Sequence, residues 1–386
     1  MISLIKNLDK VQKTILIFTL ILSLNSLFHY YPNFFWDLNV YSQAVEFYLK
    51  DISPYREITE LRFVYSPYVL IVLSFFGEYF YLWMISIYIL ILVISLNNKY
   101  TQELLLYSLI SAPIFYNDFL IKSFAGGNLT IFLHLLVIAA SSQLVNRKFF
   151  LFGIIVLTVS IIKPYFLAYL GLGVFLYPSF KKLFMHSSAI IISWALIFYS
   201  QFYFFNELSN DFLASLNSQI IGSDEGSGKD IGISIYSILA NFTERGKALI
   251  FHFLSIIAIA YISFYKLQSI FFSLTKENKV KFLFFFSLIL VTLSNPRMKV
   301  YDYWIVSGAS TGLIFILLRE IPNLYGKSKI YIFTGAIFYT IYMFSKANMH
   351  SVSAYRVYVI LLILLLLIFY SKKLILRKSE SKLAKE

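Results

Sequence analysis

Long apolar runs, separated by short polar segments, dominate the chain and predict a bundle of transmembrane helices. A helix that crosses a membrane needs roughly 17 to 25 apolar residues. The runs that come near this length are residues 13–30, 79–97, 103–117, 128–145, 149–163, 164–179, 184–204, 248–266, 282–294, 303–318, 330–346 and 355–371. The pattern therefore predicts an all-α, polytopic membrane protein with about twelve spans, formed by residues 1–386 as a single domain.

A polar stretch at residues 36–68 interrupts this pattern. Its charged side chains are Asp37, Glu46, Lys50, Asp51, Arg56, Glu57, Glu60 and Arg62. A chain this apolar has little reason to keep so many polar groups together unless they face water at a functional site. We therefore expect residues 31–78 to form a first external loop with surface or re-entrant helices, and residues 205–247 to form a second, long external loop.

The apolar piece at residues 67–76 decides which loops share a side of the membrane. At about 1.5 Å per residue it is too short to cross alone. If it does not cross, the positively charged loops lie on the same side as the N-terminus, at Lys99, Arg147 and Lys148, Lys181 and Lys182, residues 266–281, residues 319–329 and residues 372–385. Positive loops mark the cytoplasmic side. The sequence thus predicts a multi-pass protein of the plasma membrane, with both termini cytoplasmic and the polar loops external.

Composition agrees with a membrane protein and narrows the chemistry. The chain is 59% hydrophobic and has a mean hydropathy of +0.73, which a soluble domain does not reach. Positive loops account for the net charge of +13, so nucleic acid is not an expected partner. The chain has no Cys, and its five His lack metal-ligand spacing. No cofactor and no metal bound by His are expected, while a divalent cation weakly held by carboxylates stays open.

Several short motifs follow one another through the predicted external segments. They are Asp37 to Tyr41 (D-x-x-x-Y), Ser53-Pro54-Tyr55, Tyr65-Ser66-Pro67-Tyr68, GGNLTIFLHLL from residue 126, the Lys163-Pro164 corner in IIKPYFL, and SNPRMKVYDYWIV from residue 294. In this order they resemble membrane glycosyltransferases of the GT-C fold. The resemblance is to the polyprenyl-phosphate-mannose-dependent, alpha-(1,2)-mannosyltransferase-like proteins of glycosyltransferase family 87. Gly127-Asn128 stands where that family has Gly-Gln.

The resemblance implies an enzyme that works on the external face of the membrane. It would move a hexose, expected to be mannose, from a polyprenyl-phosphate-sugar donor to a lipid or glycan acceptor. This transfer needs a base for the acceptor hydroxyl and cations for the departing phosphate. The resemblance implies that Asp37 is the base. The structural alternative is that Asp37 caps a helix, and Glu46 is a minor alternative for the base.

The candidate phosphate cations are Lys163, Arg62, Arg297 and Lys299. Lys163 lies in an apolar sequence, where it either meets a functional partner or extends to the membrane interface. Arg297 and Lys299 either bind an anion or lie in a solvated loop. Arg62 has the further option of a surface ion pair with a neighbouring glutamate. The other candidates for substrate contact are Tyr41, Glu46, Tyr55, Tyr65, Asn128 and Tyr303.

Two functions of other kinds stay open at this point. One is a transporter or flippase of lipid-linked sugars, and the other is a polysaccharide polymerase that uses a lipid-linked repeat unit. Transporters usually place charged residues at mid-membrane and are built from repeated halves. The polar residues of this chain gather in loops of one predicted face, and repeated halves are not apparent in the sequence. This pattern favours an enzyme.

Single cysteines introduced into the Cys-free chain test the predicted topology. We expect a membrane-impermeant thiol reagent, added outside intact cells, to label a cysteine at Ser223 or Lys299. Cysteines at Lys148, Lys181 and Lys279 should stay unlabelled until the cells are opened, because positive loops are cytoplasmic. Labelling from outside at Lys148 or Lys181, with none at Ser223, would reverse the predicted topology.

Overall fold

The computed structural model describes residues 13, 17, 35–57, 63–115, 126–220, 234–240, 242–296, 298 and 302–320. Within these residues the structure is helical and has no β-strand, which confirms the all-α prediction for this part of the chain. The predicted spans at 330–346 and 355–371 lie outside the described residues. The total of about twelve spans therefore stays a prediction.

The described α-helices are α1 (Trp36–Leu49), α2 (Pro54–Glu57), α3 (Pro67–Ser74), α4 (Phe80–Leu96), α5 (Lys99–Phe115), α6 (Leu129–Val145), α7 (Phe149–Ile162), α8 (Leu172–Leu176), α9 (Phe180–Phe204), α10 (Asn206–Ile220), α11 (Ile235–Leu239), α12 (Arg245–Ser273), α13 (Lys276–Leu293) and α14 (Tyr303–Glu320). Short 3-10 helices precede α4, at Gly77–Tyr79, and α8, at Pro164–Gly171. The predicted span at 164–179 is therefore not one regular helix. Pro164 follows an extended Lys163 and starts a tight 3-10 segment, and proline both fixes φ and lacks an N–H donor.

Three helical segments of the described chain are long and apolar enough to cross a membrane. They are Gly77–Leu96, Phe180–Phe204 and Arg245–Ser263, and they match the predicted spans at 79–97, 184–204 and 248–266. Large apolar side chains are exposed along them, as Ile192 and Leu196 are on α9. Such exposed apolar surface is expected where a helix contacts lipid.

Helix α3 corresponds to the apolar piece that was too short to cross. Its eight residues span about 12 Å at 1.5 Å per residue, and Pro67 occupies its first turn, a favoured place for proline. It packs on α1 and α7, with Val69, Leu70 and Leu73 buried. The structure thus confirms a short helix here, while the side of the membrane on which it lies stays a prediction.

The chain divides into two compact units. The first comprises Ser23–Gln102 and Leu120–Ile231, and the second comprises Met1–Leu22, Glu103–Phe119 and Gly232–Glu386. Helix α6 is the centre of the first unit, because it packs on both α4 and α7 and is buried on nearly every face. Tyr88 of α4 stacks on Phe132 of α6, with ring centroids 3.9 Å apart. An apolar helix surrounded in this way is a core helix.

In the second unit, α13 packs along α14, and α5 is joined to both. The Lys281 ammonium of α13 lies 2.8 Å from the buried Glu103 carboxylate of α5. The Ser108 hydroxyl of α5 bonds the carbonyl of Trp304 in α14 at 2.9 Å. A Cβ added to Gly308 of α14 would lie 2.0 Å from the Ser108 Oγ and 3.0 Å from the Leu104 carbonyl oxygen. Glycine at 308 is therefore what allows α5 and α14 to approach.

Replacing Gly308 with alanine should lower the stability of the protein. The added methyl group must displace both a hydroxyl and a backbone oxygen, and overpacking of this kind costs about 1–3 kcal/mol. The matched control is Gly246→Ala in α12, because a Cβ there meets nothing within 4 Å. In that open helical position alanine should be neutral or stabilising by up to about 1 kcal/mol. Thermal unfolding in detergent measures both, and equal melting temperatures for the two variants would contradict the packing.

Candidate active site

Asp37 lies in the first turn of α1, where this helix meets the start of α6. The backbone N–H of Asp37 donates to the carbonyl of Gly126 at 3.0 Å, which ties the two helix starts together. The N-cap of α1 is Phe35, whose φ of 61° is unusual for an aromatic residue. The interpretation of Asp37 as the N-cap is therefore wrong. Its carboxylate is left free to make contacts outside its own helix.

The turn before α6 brings Asn128 to this carboxylate. Gly127 has a φ of +65°, and a Cβ there would lie 2.9 Å from the Cγ of Leu38, so both backbone and space require glycine. Asn128 caps α6 with its side-chain oxygen, which accepts from the N–H of Thr130 at 2.9 Å. The side-chain amide of Asn128 also hydrogen-bonds Asp37, and only its nitrogen can donate to a carboxylate. The cap thus fixes which end of the amide faces the carboxylate.

Lys163 brings a positive charge to the same place. It follows the last residue of α7 in an extended conformation, and its Nζ donates to the Thr130 Oγ1 at 2.5 Å. The same Nζ lies 4.8 Å from the centroid of the Tyr65 ring, within reach of a cation–π interaction. Of the two alternatives raised by the sequence, the structure favours protein partners over extension to the membrane interface.

Three buried tyrosines form a wall beside these groups. The Tyr41 and Tyr65 hydroxyl oxygens are 2.6 Å apart, and the Tyr55 hydroxyl donates to the Tyr65 carbonyl at 2.7 Å. Burial raises the pKa of all three phenols above the ordinary value, so each is neutral near pH 7. The hydroxyl groups of these three buried tyrosines already have hydrogen-bond partners within the protein. We therefore expect them to support the site.

Helix α10 contacts the segment that carries Tyr55. The Tyr55 ring lies against Phe212 of α10, with centroids 5.6 Å apart. Arg56, which follows Tyr55, forms an ion pair at 2.7 Å with Asp211, which precedes Phe212. Helix α10 is thereby attached to the segment that carries Tyr55.

The protonation of Asp37 is set by its surroundings. Burial raises the pKa of the Asp37 carboxyl to about 6, while the charge of Lys163 and the hydrogen bond from Asn128 act in the lowering direction. Burial is the larger effect. It removes water from the carboxyl group, and the charged form loses more free energy of hydration than the neutral acid does. A carboxyl with this pKa is ionised at pH 7 and is a stronger base than an exposed aspartate.

The remaining predicted site residues lie elsewhere or outside the described part. Glu46 is exposed on α1 and pairs with Lys50 at 2.6 Å, an ordinary solvated contact of adjacent turns. Tyr303 is buried at the start of α14, in the second unit. Arg62, Arg297 and Lys299 lie outside the described residues. Their roles in phosphate binding stay predictions.

The structure adds two residues that the sequence analysis missed. Thr130 contacts Lys163 through its hydroxyl, and Tyr88 donates from its hydroxyl to the carbonyl of Gly127 at 2.7 Å. Both lie in apolar helical stretches, where only the position of Thr130, two residues after Asn128, could have marked it. In the part of the chain that the structure describes, His, Asp and Glu side chains form no group of three or more that could hold a metal ion.

Compared with known protein families, curated proteins and solved structures, the chain shows no match. The site brings together a carboxylate poised to accept a proton, a primary amide and an ammonium group. Such a set can deprotonate a hydroxyl and neutralise an anionic oxygen.

The raised pKa of Asp37 should change how the stability of the folded protein depends on pH. Above pH 7 the folded protein holds an ionised carboxylate that burial disfavours, whereas at pH 4 that carboxyl is largely protonated. Each unit of pKa corresponds to about 1.4 kcal/mol, so the shift from 3.8 to about 6 disfavours the folded state by up to about 3 kcal/mol at high pH. The Asp37→Asn protein should melt at a higher temperature than the wild type at pH 8, and at a similar temperature at pH 4.

The control for this measurement is Asp51→Asn. Asp51 is exposed and has a φ of 57°, a conformation that asparagine accepts readily. The melting temperature of this variant should follow the wild type at both pH values. If Asp37→Asn also follows the wild type at pH 8, the carboxylate is not disfavoured by its site.

Proposed function

We propose that the protein is a membrane glycosyltransferase of the GT-C type, which moves a hexose from a polyprenyl-phosphate-sugar donor to a hydroxyl of a lipid or glycan acceptor. The observation that carries the proposal is the Asp37 carboxylate held beside Asn128 and Lys163. The order of motifs along the chain supports it independently. Mannose is the hexose that this resemblance favours.

Asp37 is the general base in this mechanism. The acceptor oxygen attacks the anomeric carbon of the sugar, and its proton passes to the Asp37 carboxylate. A base works best when its pKa lies near the working pH, because it is then both ionised and basic. The raised pKa of Asp37, about 6, meets this condition. Asn128 holds the carboxylate in one orientation while it accepts the proton.

Lys163 neutralises the leaving group. When the bond between the anomeric carbon and the phosphate oxygen breaks, negative charge grows on the lipid phosphate. An ammonium group that is already in place stabilises this charge without reorganising at the moment of reaction. Among the candidate cations that the structure describes, Lys163 fits this role, because its charge acts on Asp37 and its Nζ is hydrogen-bonded to Thr130.

The helices that could cross a membrane fit a substrate that is a lipid. Polyprenyl phosphates stay in the bilayer, so an enzyme that uses them has to meet them at the membrane surface. The short helix α3, which is too short to cross a membrane, packs on α1, the helix that carries Asp37. The external face, with both termini cytoplasmic, is the side that the charge pattern favours.

The test is hexose transfer by the purified protein from radiolabelled polyprenyl-phosphate-mannose, with membrane lipid extract as acceptor. Asp37→Asn keeps the size of the side chain and removes the base. We expect this variant to fold and bind donor but to lose transfer by about two orders of magnitude or more, within the range for a positioned general base. Asp51→Asn, the same chemical change at an exposed position, should keep full activity.

Two results would count against this assignment. A fully active Asp37→Asn beside an inactive Glu46→Gln would move the base along α1 and remove the role given to Asp37. Movement of intact donor across liposomes, with no transfer by the wild type, would favour a flippase.

A further inference from the structure

The Lys163 ammonium is held by a residue to which the motifs assign no role. Its Nζ donates to the Thr130 hydroxyl at 2.5 Å, and Thr130 is fully buried in the first turn of α6. The Thr130 side chain also hydrogen-bonds Tyr65, whose ring lies beneath the same ammonium at 4.8 Å. Two features of Lys163, its hydrogen bond and its cation–π contact, therefore meet at the Thr130–Tyr65 pair.

Donor and acceptor roles in this pair follow from proton counting. An ammonium group has no acceptor lone pair, so the Thr130 oxygen must accept from Lys163. The single proton of Thr130 is then available to the Tyr65 oxygen. Tyr65 in turn is hydrogen-bonded to Tyr41, whose oxygen accepts from the backbone N–H of Leu129 with an N···O distance of 3.4 Å. These hydrogen bonds form a chain that starts at Lys163, passes through the side chains of Thr130, Tyr65 and Tyr41, and ends at the backbone of the first turn of α6.

This arrangement restricts a side chain that is otherwise mobile. Lysine has four rotatable side-chain bonds and binds phosphate as a point charge, so its geometry must come from its surroundings. Thr130, in contrast, is β-branched and lies in a helix, where few rotamers are open to it. Its hydroxyl is therefore a fixed point against which the ammonium is placed.

We infer that Thr130 is a positioning residue for Lys163: its hydroxyl holds the ammonium where the phosphate of a polyprenyl-phosphate ligand binds. The inference rests on the proposed function. Thr130 itself does not touch the reacting atoms, and its effect passes through Lys163. Removing the hydroxyl should therefore weaken binding of the phosphate group while leaving recognition of the lipid chain unchanged.

The experiment measures binding of a short-chain polyprenyl phosphate to purified protein, with the phosphate-free polyprenol as the reference ligand. Thr130→Val keeps the shape of the side chain and removes the hydroxyl. We expect it to weaken binding of the polyprenyl phosphate about tenfold, the effect of one hydrogen bond to a charged group, with no change for the polyprenol. Thr130→Ser restores a hydroxyl and should bind within about twofold of wild type.

A double-mutant cycle separates positioning from packing. Lys163→Ala should weaken binding of the polyprenyl phosphate at least as much as Thr130→Val does, and adding Thr130→Val to it should have no further effect. The matched control is Thr158→Val on α7, where an exposed hydroxyl bonds only its own helix at the carbonyl of Ile154. This control should bind both ligands like the wild type. If Thr130→Val does not fold, the smaller Thr130→Ala takes its place.

The failures of the two proposals can be told apart. If Lys163→Ala loses phosphate binding while Thr130→Val does not, Thr130 is not a positioning residue and the proposed function is untouched. If Thr130→Val weakens the phosphate and the polyprenol equally, its role is packing and the inference is wrong. If Lys163→Ala binds the polyprenyl phosphate like the wild type, the phosphate lies elsewhere, and the phosphate step of the proposed function is wrong as well.

Discussion

A carboxylate partly withdrawn from water is the constraint on which the first unit depends. Burial disfavours the ionised form of Asp37, and one amide and one ammonium group offset part of this cost. Each of those partners comes from the end of a different core helix, Asn128 before α6 and Lys163 after α7. The three helix ends must therefore meet for the site to exist.

The backbone features around the site follow from that meeting. Gly127 adopts a positive φ and passes so close to Leu38 that a side chain would not fit. Pro164 stops α7 from continuing and leaves Lys163 extended, which turns its side chain toward Thr130. Tyr41, Tyr65 and Tyr55 are buried near these groups, and two hydrogen bonds join Tyr65 to the other two. The groups of the site thus have their protein partners in place before a reaction begins, as electrostatic stabilisation of a transition state requires.

The sequence predicts the elements of this arrangement better than their contacts. The apolar runs at 128–145 and 149–163 coincide closely with α6 and α7, because long apolar periodicity is a strong local signal. The Lys163-Pro164 corner could be predicted, since proline acts on its own chain. The partners of Lys163 could not, because they depend on which helix ends pack together. Thr130 is the clearest case, an unremarkable residue in an apolar helix until α7 brings an ammonium group to it.

The central claim is that Asp37 accepts a proton in the reaction. The pH dependence of hexose transfer from polyprenyl-phosphate-mannose, measured with donor far below its KM so that the rate reports the pKa of the free enzyme, tests it most directly. The account predicts a rate that rises with pH and reaches half its maximum near the Asp37 pKa of about 6, because only the ionised carboxylate serves as a base. The residual activity of Asp37→Asn should lack this rise. A rate that does not change between pH 5 and pH 7, or a rise that Asp37→Asn retains unchanged, would contradict the account.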